Sequence, residues 1–168
     1  MIPTDWKHWI PSDEAVLCFV IDAGRVLLIH KKRGLGSGKI NGPGGRIEGG
    51  ETAYEAAVRE TQEEVGVTPI DLQSVATLSF AFADGYGLRC EVFLASRWTG
   101  TLTETDEAVP FWSPLEAIPY DAMWQDDRYW LPEVLAGREV AGYFTFESDT
   151  MTSCALYERK TGTPFPGI

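Results

Sequence analysis

Apolar positions along the chain fall into short runs divided by turn residues. Ala15 to Asp22 and Arg25 to Lys32 are two such runs, and Asp22-Ala-Gly24 between them predicts a β-hairpin. Leu72 to Phe82 and Leu88 to Trp98 are strand-like and joined by Asp84-Gly-Tyr-Gly87, which predicts a second hairpin, closed by a turn at Thr99-Gly100. Between the two hairpins, Thr52 to Val65 reads as a helix, with Pro69 beyond its end. Val109 to Trp112 is a further apolar stretch, after which Pro114, Pro119 and Pro132 divide the chain into short helical pieces. Arg138 to Glu147 and Met151 to Arg159 alternate as strands do, around a turn at Glu147-Ser-Asp149. Strands thus bracket one internal helix and one later helical region. This order predicts an α+β fold, an α/β/α sandwich with a mixed β-sheet. Residues 1–12 read as an arm and residues 161–168 as a loosely held Gly/Pro tail.

Composition narrows the picture. At 168 residues the chain has the usual size of one domain, 1–168, and 44% hydrophobic residues supply a sizeable core. A net charge of −11 argues against attraction to a nucleic-acid polymer or an anionic membrane. It leaves a phosphorylated small molecule admissible, because bound divalent cations supply local positive charge. Cys18, Cys90 and Cys154 are far apart and form no CxxC pair, so buried, reduced thiols are expected rather than a zinc site or disulfides. The opening residues show no apolar targeting core and no run reaches membrane-spanning length, so the expected setting is cytoplasmic and the expected state a monomer.

The candidate chemistry starts at Gly45 and ends at Val67. Gly44, Gly45, Gly49 and Gly50 let the backbone turn tightly and approach a ligand closely. Within the helix that follows, Glu60 and Glu64 stand four residues apart and Glu60 and Glu63 three apart, so three carboxylates crowd one side of one end. Their repulsion is relieved by a hard, oxygen-seeking cation such as Mg2+, with Mn2+ as the alternative. A metal beside an open glycine loop reads as a phosphate site; a solvated acidic face is the plainer explanation of such a run.

Other positions carry two readings each. Lys31-Lys32-Arg33 leads into the glycine loop Gly34 to Gly38, either a solubilising loop or one that faces substrate. Asn41 either satisfies a turn or presents its amide, donor and acceptor together, to a purine edge. Glu104 to Glu107 is either a solvated loop or one that folds over the metal site and brings Glu107 to it. In Met123 to Trp130 two adjacent acids lie between two tryptophans. That is either an N-capped helix with core tryptophans, or a base pocket in which an aromatic face stacks and carboxyls read an edge. Adjacent helical residues do not share a face, so Asp126 and Asp127 need not meet.

The spacing from Gly45 to Val67 resembles the Nudix box, G-x5-E-x7-R-E-U-x-E-E-x-G-U, where U is a bulky aliphatic residue; only Thr61, at a U position, departs. Over roughly residues 14 to 160 the chain is similar to the oxidised purine nucleoside triphosphate hydrolases of that family. The resemblance rests on Arg25 to Gly45, Ala117 to Leu135 and Gly142 to Phe146. It implies the Nudix fold and Mg2+-dependent hydrolysis of oxidised purine (deoxy)nucleoside triphosphates, such as 8-oxo-dGTP and 2-hydroxy-dATP, to the monophosphate and pyrophosphate. The implied partner is a small-molecule purine nucleotide. Metal positions are implied at Gly44, Gly45, Glu60, Glu63, Glu64 and Glu107, the glycines through their backbone. Arg59 is implied to orient Glu51 or neighbouring carboxylates rather than touch substrate. Substrate contacts are implied at Lys31, Asn41, Phe80, Trp124, Asp126 and Asp127. Leu35 and Val16 depart from the phenylalanine and threonine usual at their positions. Another modified purine, a general dNTP, or a nucleotide-sensing module without turnover are the other readings.

Overall fold

The computed structural model describes residues 5–166, so the first four residues of the expected arm and the last two of the expected tail lie outside it. Among the described residues, eleven strands and two α-helices are arranged as an α+β sandwich. Strands β1 (Asp13–Asp22), β2 (Arg25–Lys31), β3 (Ile40–Asn41), β4 (Gly44–Arg46), β6 (Gln73–Phe82), β7 (Gly87–Ala95), β9 (Ala108–Pro114), β10 (Val140–Glu147) and β11 (Thr150–Glu158) form one sheet. Its path runs β11-β10-β6-β7-β1-β2-β3, with β4 on β1 and β9 on β2. The sheet is mixed: β1 runs parallel to β7 and β10 parallel to β6, while the other pairs are antiparallel. A second sheet pairs β5 (Val67–Ile70) with β8 (Arg97–Gly100).

Alternation along the strands explains the two cores. Phe19, Val26, Leu28, Leu78 and Phe144 point to one face, where helix α2 (Asp127–Leu135) adds Trp130, Leu131 and Val134. Val16, Cys18, Val20, Leu27 and Ile29, the intervening residues, point to the other face, where helix α1 (Ala53–Val65) adds Ala56, Ala57 and Val65. Burial on both faces is why β1 and β2 read as near-continuous apolar runs.

Strand β1 is also where the sheet forks. Its first half carries β4, with Val16 opposite Gly45, while only its last two residues pair with β2. The expected first hairpin is therefore a short one, and the gap between the two branches opens as a cleft.

Local signals account for the helix ends. Thr52 caps α1, accepting from the Glu55 N–H, while the Glu55 carboxylate accepts from the Thr52 N–H. Gly66 closes it in the left-handed region at φ 75°.

Five expectations are corrected. Thr99 and Gly100, expected as a turn, lie in strand β8 opposite Thr68 and Val67. Trp98 leaves the β7 strand and belongs to β8, paired with Pro69. Pro132 lies inside α2 rather than dividing helical pieces. The tail is held: Phe165 packs on the core and its N–H donates to the Leu156 carbonyl at 3.0 Å. All three cysteines are free, but Cys154 is only half-buried. Among the described residues, no helix is long and apolar enough to cross a membrane.

Candidate active site

The fork in the sheet opens a cleft of about 520 Å³. Acids line one end of it: Glu60 and Glu64 from α1 and Glu107 from the loop before β9. Their carboxylate oxygens lie within 4.8 Å of one another.

The backbone is fitted closely around this group. A Cβ on Gly44 would sit 2.0 Å from the Val16 carbonyl oxygen, and one on Gly45 2.4 Å from the Glu60 carboxyl carbon. Glycine is therefore required at 44, where β4 packs on the β1 backbone, while at 45 a side chain would push the Glu60 carboxylate out of place. The Gly44 N–H donates to Glu64 at 3.2 Å. Glu107 is tied to the same helix by one hydroxyl: Thr105 Oγ1 donates to the Glu64 carbonyl at 2.8 Å and accepts from the Glu107 N–H at 3.2 Å.

Glu63 stands apart from the three. Residues 60 and 64 share a helical stripe, whereas residue 63 lies about 100° from residue 64 around the axis. It is exposed and accepts from Arg59 at 3.2 Å, the i,i+4 neighbour on its own stripe. Arg59 forks onto both oxygens of Glu51, at 3.0 and 2.6 Å, and also donates to Glu60 at 2.8 Å. Glu51 is held down to about 2 by that guanidinium. Thr61, the residue that departs from the aliphatic pattern, is fully buried and donates to the Ala57 carbonyl at 2.8 Å, so the helix satisfies its own hydroxyl.

Electrostatics set these acids apart. Burial pushes Glu64 up to about 8, with the charges of Glu60 and Glu107 adding to it and the Gly44 N–H opposing. Burial likewise raises Glu60, against Arg59. Three oxygen donors of like charge at this spacing fit a hard divalent cation, which relieves the repulsion that each adds to the others.

The other end of the cleft is aromatic, with two acids at its floor. Trp124 meets the rings of Phe82 and Phe146 edge-on at 6.2 and 5.4 Å, and Phe80 stacks on Phe144 at 5.2 Å. Lys39 Nζ lies 5.3 Å over the Trp124 ring. Asp126 and Asp127 are 1% and 3% exposed, and Oδ1 of the first and Oδ2 of the second find no partner among the described residues. Both line the cleft. Asp126 occupies the N-cap position of α2 but does not cap it; its Oδ2 accepts from Trp130 Nε1 at 2.7 Å instead. At a helix's first residues two neighbours are able to turn into one pocket, as they are not in a helix interior. Burial raises Asp126 to about 6. Burial, then the charge and hydrogen bond of Asp126, hold Asp127 well above the ordinary carboxylate range.

Of the positions singled out in the sequence, Lys31, Asn41, Gly44, Gly45, Glu60, Glu64, Phe80, Glu107, Trp124, Asp126 and Asp127 all line this one cleft. Arg59 and Glu63 are not among its lining residues. Asn41 satisfies a turn from within the cleft wall, its Oδ1 accepting from the Gly42 N–H at 2.9 Å. The glycine loop after Arg33 also faces the cleft: a Cβ on Gly36 would sit 2.7 Å from Trp124 Nε1. Sequence reading missed Phe82, Tyr86, Leu88 and Cys90 as cleft residues, while Trp130, one of the two tryptophans flanking the acids, lines the cleft from the core. Phe82 was legible from strand period, two positions past Phe80, and Trp130 from its i,i+4 spacing to Asp126.

Comparison with known proteins places this geometry. A domain model described as NUDIX matches residues 11–134. The chain is 40% identical over 144 residues to the oxidized purine nucleoside triphosphate hydrolase of Mus musculus, covering 84% of this chain and 92% of that protein. It is 41% identical over 132 residues to the protein of the same name from Danio rerio, covering 78% and 85%. The crystal structure of the MutT protein from Bacillus halodurans superposes with a TM-score of 0.78 at 26% identity, covering 86% of this chain and 97% of that one.

Proposed function

The chain belongs to the NUDIX family, and from that premise we propose that it hydrolyses oxidised purine (deoxy)nucleoside triphosphates to the monophosphate and pyrophosphate, removing damaged precursors from the nucleotide pool. The observation that carries this reading is one cleft with an acidic end and an aromatic, carboxyl-floored end. The first suits phosphates with their cations; the second suits a base.

Glu60, Glu64 and Glu107 would hold a divalent cation, Mg2+ or Mn2+, with the Gly44 N–H fixing the Glu64 carboxylate. When bound, that cation neutralises phosphate charge. The remaining chemistry belongs to the chain. Arg59, locked on Glu51, fixes Glu60 on the cleft side. The attacking water passes a proton to a carboxylate of the acidic group, which Glu60, Glu64 and Glu107 bring to one end of the cleft. Glu63, turned to Arg59, is assigned a supporting place in the charge network rather than a contact with the cation.

At the far end Trp124 offers a face for stacking and Asp126 and Asp127 the polar recognition. Two buried carboxyls in contact disfavour double ionisation, so one holds a proton. The pair then presents a donor beside an acceptor, and exchanging the proton adapts it to purines with different edges. Asn41 adds an amide on the wall, and Lys31 a charge toward the phosphates.

Pyrophosphate release from a panel of normal and oxidised triphosphates, with Glu64→Gln as control, tests the reading. The expected result is release from 8-oxo-dGTP in Mg2+, abolished in the variant. Tight binding without release would make the protein a sensor instead.

A further inference from the structure

Two carboxylates of the acidic group already carry a guanidinium. Arg59 donates to Glu60 at 2.8 Å, and Arg33 Nη2 donates to Glu107 at 3.1 Å. The two arginines are not equally fixed. Arg59 is 23% exposed and held by Glu51, Glu63 and the Arg46 carbonyl as well. Arg33 is 64% exposed, and among the described residues Glu107 is its one side-chain partner. It lines the cleft and opens the loop in which Gly34, Gly36 and Gly38 all lie at positive φ. By contrast its neighbour Lys32 is tied to that acidic loop, donating to Glu104 and to the Thr105 carbonyl, both at 2.7 Å.

A divalent cation at Glu60, Glu64 and Glu107 competes with Arg33 for the same carboxylate. A triphosphate brings several negative charges to the same mouth. A guanidinium, with its planar fork of N–H donors, matches phosphate oxygens well. Building on the hydrolase reading above, we propose that Arg33 is a triphosphate-binding residue parked on Glu107: the cation takes over Glu107, and the released guanidinium binds an outer phosphate.

The two halves of this exchange predict effects of opposite sign in one variant. In nucleotide-free protein, Arg33→Ala removes a competitor, so Mn2+ binding, read by electron paramagnetic resonance, tightens by about two- to fivefold, the scale of an exposed ion pair. With 8-oxo-dGTP, KM rises about tenfold, as for a lost charge-assisted hydrogen bond, while kcat stays within about twofold. Binding of 8-oxo-dGMP, which has no outer phosphate, is unchanged by tryptophan fluorescence. Arg33→Lys recovers most of the KM.

Weaker Mn2+ binding in Arg33→Ala would overturn the proposal, since Arg33 would then be holding Glu107 in place. An unchanged KM would overturn it too, as would an equal loss of 8-oxo-dGMP affinity. If the wild-type protein released no pyrophosphate from 8-oxo-dGTP, the hydrolase reading would fail separately. Arg33 is then judged by binding alone, with Mn2+ and inorganic tripolyphosphate as probes: tighter metal and weaker tripolyphosphate binding in the variant support it, and anything else rejects it.

Discussion

At the scale of single residues, the decisive features are carboxyls held out of water. Asp126 and Asp127 are almost fully buried in the cleft wall and each keeps one oxygen without a partner among the described residues, an arrangement that costs stability. Both acids are raised in the folded protein, Asp126 to about 6, against about 4 when unfolded. For an acid raised on folding, the stabilising protonated form is present at low pH and lost as pH rises through the folded value. Unfolding free energy is therefore expected to fall between about pH 5 and 8, by on the order of 1–3 kcal/mol. Asp127→Asn should flatten that slope in urea titrations at the two pH values. The same variant should alter the ranking of 8-oxo-dGTP against 2-hydroxy-dATP, because an amide cannot exchange a proton with Asp126; an unchanged ranking counts against proton sharing.

At the scale of elements, the site depends on three pieces of chain meeting at the fork of β1. The glycine strand β4 brings the Gly44 N–H that donates to Glu64, the helix α1 brings Glu60 and Glu64, and the loop before β9 brings Glu107. Thr105 joins the last two through one hydroxyl. Thr105→Val keeps the shape and removes both hydrogen bonds, so Mn2+ affinity of the nucleotide-free protein should fall about 10- to 100-fold, as when other supporting contacts of a metal site are lost. Thr105→Ser should restore it. Wild-type affinity in Thr105→Val would show that backbone pairing alone positions Glu107.

The same elements show what the sequence carried and what it did not. Glu60 and Glu64 were legible because residues four apart on a helix share a stripe, whereas Glu63, expected beside them from its three-residue spacing to Glu60, turns to Arg59, a partner that the spacing alone did not single out. Glu107 was left between solvent and site, since a loop's path depends on contacts such as Thr105 to α1 that no local pattern records. Asp126 and Asp127 were left open for a related reason: the helix rule that separates neighbours does not bind at its first residues. Trp98 was misplaced because one apolar run covers two strands, divided at Ser96, that turn to different sheets.

At the scale of the whole molecule, an acidic protein of net charge −11 handles a polyanion by concentrating its need for positive charge at one spot. Glu64, raised to about 8, makes that spot pH-sensitive in the metal-free protein: stability present below the unfolded value of about 4 is lost as pH rises through about 8. A cation favours the ionised carboxylate, so the gain in Tm from Mg2+ over EDTA should be larger at pH 8.5 than at pH 6.5. An equal gain at both would place the ion away from Glu64.

The central claim is a division of labour along one cleft, phosphates cut at the acidic end and the base chosen at the aromatic end. Its most direct test is the ratio of kcat/KM for 8-oxo-dGTP over dGTP, measured in Mg2+ for wild type and for Trp124→Ala. The expected wild-type ratio is well above one and collapses toward one in the variant, with pyrophosphate and monophosphate still the products. A wild-type ratio near one, or a ratio untouched by loss of Trp124, would contradict it.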